Sequence, residues 1–432
     1  MTSSEKQGWK TVVMASLGSI LEYYDFLMYG IFATELSRQF FPIVDPLISL
    51  ISTFGVFALG YASRPLGGII LSSLGDRFGR KVVLLVSVLS ISVSSLAIAV
   101  IPNYATIGIA APLLLVALRF SQGFFLAGEQ PCAMTYVVEE MPKRAGLVTG
   151  TVLFCAIAGI LLASLASLIV HTALSPAAVD AYGWRIAFFI GGLIGLGSYW
   201  VRTSLEESPE FQRMRNHVAK RPFRQIITQH PKQIFLAMSA SAIANSVNSI
   251  QFIALPSYLT RSLHYSGSEI SFAQNIGIGA LAFSLLLAGW LGDKLPSRLI
   301  HRVGCIAIIV ATLPLYMAIE SHSIGPVAIF LILGVTGGIV NGTYPFIAAD
   351  LFPTAVRFSG IALAFNLATA IFTGFTPFAF TNIIHVSGSL ITSSAYPIGL
   401  AVVSLIVGFW IKGSSGHINR LPSLRTSDNR PK

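Results

Sequence analysis

The chain has 432 residues, 54% hydrophobic and 11% charged, with a mean hydropathy of +0.73. Soluble domains carry about 25% charged residues, so most of the outer surface of this particle must face lipid, which excludes a water-soluble enzyme. The formal net charge of +10 would suit a nucleic-acid binder, but the charges lie in short segments between apolar runs, and no nucleic-acid partner is expected.

Lys6 and Lys10 precede an apolar run, as in a cleaved leader. That run contains Glu22 and Asp25, has no A-x-A site and is followed by many similar runs, so it reads as a first membrane helix. Stretches long enough to cross about 30 Å of hydrocarbon follow one another at 11–34, 47–74, 82–101, 112–138, 147–171 and 184–201. After a basic polar segment they resume at 232–257, 270–291, 299–319, 324–348, 358–385 and 393–411. The expected fold is an all-α membrane protein of about twelve transmembrane helices. Its predicted parts are a six-helix bundle over 1–201, a linker over 202–231, a second bundle over 232–411 and a disordered tail over 412–432.

Lysine and arginine set the orientation. With both termini cytoplasmic, the inner face holds Lys6, Lys10, Arg77, Arg80, Lys81, Lys143, Arg144, Arg202, Arg213, Arg215, Lys220, Arg221, Arg224 and Lys232. It also holds Lys294, Arg298, Arg302, Arg357, Lys412, Arg420, Arg425, Arg430 and Lys432, while Arg38, Arg185 and Arg261 remain outside. The asymmetry predicts a cytoplasmic (inner) membrane protein with both ends inside.

The halves echo each other. Gly75-Asp76-Arg77-Phe78-Gly79-Arg80-Lys81 joins the second and third spans, and Gly292-Asp293-Lys294-Leu295-Pro296-Ser297-Arg298 joins the eighth and ninth. Glu140-Met141-Pro142-Lys143-Arg144 after the fourth span is matched by Asp350-Leu351-Phe352-Pro353 after the tenth, with Arg357 beyond. Two parallel six-helix halves follow, the build of an alternating-access carrier.

The first loop resembles the loop signature of the major facilitator superfamily. Glu22-Tyr23-Tyr24-Asp25-Phe26, Arg64-Pro65-Leu66-Gly67-Gly68, Arg119-Phe120-Ser121-Gln122-Gly123 and Gly128-Glu129 are similar to its metabolite–proton symporter branch. So are Gly183-Trp184-Arg185, Leu205-Glu206-Glu207-Ser208-Pro209-Glu210-Phe211 and Leu351-Phe352-Pro353-x-x-Val356-Arg357-x-Ser359-Gly360. The resemblance implies a carrier of citrate, 2-oxoglutarate, shikimate, or proline and betaine, driven by protons.

Ionisable groups inside spans are costly and mark function. The candidates are Glu22, Asp25, Arg64, Arg119 and Glu129, all in the first half. On a helix Glu22, Asp25 and Tyr29 share a face, as do Arg119, Gln122, Leu126 and Glu129. A carboxylate beside a guanidinium stays ionised and takes a proton when that contact is lost. Asp25 and Arg119 resemble the proton-coupling pair of sugar–proton carriers; the alternatives are a static ion pair and no contact at all. Arg64, about 16 Å before Gly75 along a helix, either meets a substrate carboxylate, as the resemblance implies, or pairs with Glu22 or Glu129. Glu129 is either a second proton site or the neutraliser of an arginine.

Tyr24, Tyr29 and Gln122 join these as candidate substrate contacts. The second half supplies neutral polar groups: Asn245, Asn248 and Gln251 on span seven, Gln274 and Asn275 on span eight, Asn341 and Tyr344 on span ten, and Asn366 on span eleven. Each binds substrate or glues helices. Gly75, Asp76, Arg77, Gly79, Arg80 and Lys81, with Asp293, read as a conformational latch whose charges differ between states, or as a topology signal alone. Gly191, Gly192, Gly195 and Gly197 suit close helix packing. Cys132, Cys155 and Cys305 are too scattered for a disulfide framework or metal site.

No nucleophile–base or metal constellation appears, and no cofactor is expected. The partners are a small solute, protons and the bilayer, and the chain is expected to be monomeric. The expected function is proton-coupled import of a small organic acid or zwitterion by alternating access. The rivals are a proton-antiporting exporter of metabolites or drugs and a transport-deficient nutrient sensor.

Overall fold

The computed structural model describes residues 3–42, 46–214, 222–411 and 418. Every regular element among them is helical, as long apolar segments in lipid require, because only a helix satisfies its own backbone there. The first three spans are Ser3–Ile31, Pro46–Ala62 with Arg64–Phe78, and Arg80–Val100. The next three are Ala110–Glu140, Ala145–Ala173 and Trp184–Thr203. The seventh runs from Pro231–Ser249 through Ile250–Ala254 to Leu255–Arg261. Gly267–Lys294, Ser297–Glu320 and Pro326–Leu351 are the eighth to tenth. The eleventh is Arg357–Ala368, Thr369–Thr373 and Gly374–Ser387, and the twelfth is Ala395–Trp410. The linker residues Arg215, Lys220 and Arg221, and the tail residues Lys412, Arg420, Arg425, Arg430 and Lys432, lie outside the described residues.

Among the described residues, nine helical segments are long and apolar enough to cross a membrane on length and composition alone. The first, second and seventh spans complete the twelve, and each departs for a visible reason. The first carries Glu22 and Asp25. The second breaks at Ser63, just before Pro65, which has no N–H to give. The seventh is rich in serine and asparagine and passes through a π-turn at Ile250–Ala254.

Contacts gather the chain into two compact units, Met1–Tyr136 with Cys155–Ser208, and Val137–Phe154 with Pro209–Lys432. The end of the fourth span and the start of the fifth therefore group with the later residues, a finer division than the break at residue 201 read from the sequence.

In the first unit, Tyr24, Tyr29, Phe32, Phe40, Trp184 and Phe188 anchor an aromatic core, with Phe40 and Trp184 edge to face at 5.6 Å. Spans two and four cross closely because Gly123 lies on the Gly60 carbonyl, where a side chain would collide. Gly191, Gly192 and Gly195 also meet neighbours, but a Cβ on Gly197 would meet nothing within 4 Å among the described residues, so packing does not explain that glycine.

In the second unit, Leu255, Tyr316, Phe330 and Phe380 belong to the core, and spans eight and ten approach through Gly277 and Gly334. Phe283, Val310 and Phe378 remain exposed, as lipid-facing positions should.

Candidate functional site

The ionisable residues of spans one, two and four converge inside the first unit. Glu22, Asp25, Arg64, Arg119 and Glu129 are all buried. A small cavity is lined by Glu22, Asp25, Gly60, Ile91, Arg119, Gln122, Gly123 and Leu126. The two glycines at the crossing of spans two and four thus also border the polar pocket.

Gln122 is the hinge of the charge arrangement. Its Oε1 accepts from Arg119 at 2.9 Å, while its Nε2 donates to Asp25 Oδ2 at 3.2 Å and to Ser95 Oγ at 2.9 Å. Ser95 in turn donates a short hydrogen bond to the same Asp25 oxygen. The amide thereby links the aspartate and arginine that the sequence pairs directly. The Arg119 guanidinium stands 4.3 Å over the Tyr29 ring, whose hydroxyl donates to the Thr53 carbonyl at 3.2 Å. Tyr29 is therefore a platform for the arginine. Ser95 on span three is a member that sequence reasoning missed, since a serine in an apolar run carries little signal.

Glu22 and Arg64 face each other at 3.9 Å, and Arg64 lies 5.1 Å over the Tyr61 ring. Neither Glu22 oxygen accepts a hydrogen bond among the described residues, so this carboxylate borders the cavity only loosely held.

Glu129 is placed differently from the other acids. It meets Arg202 at 2.6 Å, outside the cavity lining. Arg202 also donates to the carbonyls of Met14, Ala15 and Leu84, and Gly18 leaves the room that both side chains fill. The sequence puts Arg202 on the surface as a topology charge; the structure corrects this, because span six runs to Thr203 and carries Arg202 into the protein interior. The geometry pairs Glu129 with an arginine, the contact that one of its two expected roles requires. Arg357 and Arg80 are likewise buried rather than superficial, Arg357 bonding Glu139 at 3.3 Å.

Tyr24 belongs to the core, its hydroxyl donating to the Ala187 carbonyl at 2.9 Å, so its position is not that of a substrate contact. In the second unit Asn245, Asn248 and Asn341 join spans, while Asn366 bonds within its own helix. Asn248 and Asn341 exchange hydrogen bonds at 3.1 and 3.0 Å. Asn245 accepts from Thr369 and Thr373 at 3.2 and 3.0 Å, Asn366 donates to Ala362 at 2.8 Å, and Tyr344 stacks on Phe365 at 6.3 Å. His301, which the sequence did not single out, is buried between the hydroxyls of Thr343 and Ser404 at 3.0 and 2.9 Å.

The Gly75–Lys81 loop is built on charge and helix ends. Gly79, at φ +117°, makes a turn that a side chain would oppose. Asp76 and Arg80 pair at 3.3 Å, fully buried, and Arg77 stands 5.3 Å over the Phe78 ring. Glu207 then accepts from the backbone N–H of Arg80 and Lys81 at 2.9 and 3.2 Å, capping span three, and Lys81 donates to the Thr203 carbonyl at 3.0 Å. In the second unit Asp293 does the same for span five, accepting from Gly146 and Leu147 at 2.6 and 3.0 Å. Glu207 thus caps a helix far from its own place in the chain.

The profile of the Major Facilitator Superfamily matches residues 15–368. The chain belongs to that superfamily. It is 33% identical over 426 residues to the glycine betaine/proline/ectoine/pipecolic acid transporter OusA of Dickeya dadantii (strain 3937), covering 93% of this chain and 83% of that protein. It is 32% identical over 422 residues to the proline/betaine transporter of Escherichia coli (strain K12), with the same coverage. The fold matches the proton:xylose symporter XylE bound to 6-bromo-6-deoxy-D-glucose, with a TM-score of 0.79 at 15% identity over 98% of this chain and 99% of that one.

Within the superfamily the chain stands in the metabolite–proton symporter branch. It is a multi-pass membrane protein and a secondary active transporter of a small organic solute, working by alternating access.

Proposed function

We propose that the cargo is a small zwitterion of the betaine or imino-acid kind, imported together with protons. One observation carries this reading: the buried charges balance. The buried ionisable residues described in the first unit are Glu22, Asp25, Asp76 and Glu129 against Arg64, Arg80, Arg119 and Arg202. With Arg202 taken by Glu129, no guanidinium is left in surplus, and a dianion or trianion entering this pocket would face charge that burial makes expensive. A zwitterion adds no net charge and offers a group to each sign. The names of the similar transporters agree with this cargo.

In this account Arg119 and Gln122 receive the cargo carboxylate, Glu22 beside Arg64 receives its cationic end, and Asp25 carries the proton. Cargo bound to Arg119 competes with the Gln122 link, so the environment of Asp25 changes with occupancy. The Asp76–Arg80 and Asp293 contacts act as the latch, made in one state and broken in the other. The lysine and arginine distribution supports a cytoplasmic membrane location with both termini inside. A monomer with halves over 1–201 and 232–411 is sufficient for this cycle.

The test is competition in energised proteoliposomes. Uptake of labelled glycine betaine should be displaced by proline and unaffected by citrate, 2-oxoglutarate or shikimate. Displacement by those acids, with betaine inert, contradicts the assignment.

A further inference from the structure

Span three brings three neighbouring serines into the interior of the first unit. Ser92 donates to the Val88 carbonyl at 2.6 Å and Ser94 to Ser121 Oγ at 3.3 Å, so each of these hydroxyl protons has one acceptor among the described residues. Ser95 is fully buried and has two. Its Oγ lies within donating distance of Asp25 Oδ2 and, at 2.9 Å, of the Ile91 carbonyl one turn back on its own helix. A hydroxyl carries a single proton, so it serves one of these acceptors at a time.

The choice between them depends on charge. An ionised Asp25 is the stronger acceptor, and the hydroxyl points to it. A protonated Asp25 has an O–H of its own, which Ser95 Oγ can accept, and the serine proton then turns to Ile91, the i−4 carbonyl bond open to a helical serine. Gln122 Nε2, at 2.9 Å from Ser95 Oγ and 3.2 Å from Asp25 Oδ2, suits both arrangements without moving. Both charge states of Asp25 Oδ2 are thus hydrogen-bonded with no heavy atom displaced.

The other groups around Asp25 do not offer this. Arg119 on span four is permanently charged, and Glu22 on span one lines the same cavity and faces Arg64. Tyr29 lies under Arg119, and the Tyr24 hydroxyl is taken by the Ala187 carbonyl. Span two contributes Gly60 to the cavity, and span six presents Gly191, where a Cβ would strike Asp25 Oδ1.

We propose that Ser95 is a positioning residue for proton coupling, its hydroxyl turning from Asp25 to the Ile91 carbonyl as Asp25 takes a proton from outside. This role rests on Asp25 as the proton carrier. The incoming proton binds Oδ2, no other covalent bond changes, and the serine keeps its own hydrogen throughout. A hydrogen bond to a charged acceptor is stronger than one to a neutral group, so this serine sets the external pH at which the carrier loads.

The test is Ser95→Ala in the full-length transporter, with initial uptake measured across external pH at fixed interior pH and membrane potential, beside thermal unfolding. The labelled solute is glycine betaine, or the one that the competition assay selects in its place. Alanine suits a helix and deletes one oxygen. The pH of half-maximal uptake should move up by about one unit, a tenfold change in proton loading. Ser95→Thr, which keeps the hydroxyl, should return it to the wild-type value. An alanine profile with an unmoved midpoint, or one displaced to lower pH, overturns the proposal; lower uptake at an unmoved midpoint is the mark of a structural serine. A threonine midpoint displaced as far as alanine's overturns it too, since the hydroxyl is then not the cause. Asp25→Asn separates the two claims. Full accumulation by that variant defeats Asp25 as the carrier, whereas lost accumulation together with an unmoved Ser95→Ala midpoint defeats Ser95 alone.

Discussion

Glu129 and Arg202 meet at 2.6 Å with both side chains buried, and Arg202 ties spans one, three and four together through carbonyl and carboxylate contacts. Removing one partner leaves the other as an uncompensated buried charge, at a cost of about 3–5 kcal/mol. Glu129→Leu and Arg202→Leu should each lower the unfolding temperature of the purified protein. The combined Glu129→Gln, Arg202→Met protein should recover most of the loss. Single variants as stable as wild type would remove the structural role.

Asp25 sits behind Ser95 and Gln122 and borders the cavity. Asp25→Asn keeps the shape and removes the titrating group. Uphill uptake should be abolished, while exchange of internal for external cargo persists in part. Wild-type uptake should rise as the external pH falls, because protons are co-substrates, and exchange by the variant should be flat over the same range. Full accumulation by Asp25→Asn would show that the proton travels elsewhere.

The Asn248–Asn341 pair is expected to serve packing. Each single change to leucine should lower stability by about 1–2 kcal/mol, and a double-mutant cycle should return a coupling of about 0.6–2 kcal/mol. The KM for cargo should move less than twofold. A tenfold increase in KM at unchanged stability would restore these asparagines to the binding site.

Much of this was legible in the sequence. The twelve spans, their repeat and the meeting of Glu22, Asp25, Arg64 and Arg119 follow from hydropathy, helical spacing and the cost of charge in lipid. Arg202 was not legible because an arginine near the end of a span satisfies the topology rule equally well inside or outside the protein. Ser95 and His301 were missed for a related reason: a single neutral polar side chain costs little, so it stands out only once its partner is in place. The asparagines of the second half were open between binding and helix glue because sequence shows that an amide is present, not whether a neighbouring helix has already used it.

The central claim is that the buried charges of the first unit are in balance, so the protein carries a neutral cargo with a proton. The direct measurement is uptake into proteoliposomes with equal pH on both sides and an imposed potential, interior negative. Betaine and proton together move positive charge inward, so the potential alone should drive betaine accumulation, and collapsing it should abolish that accumulation. Betaine uptake indifferent to the potential, or accumulation of a dicarboxylate in its place, would contradict the account.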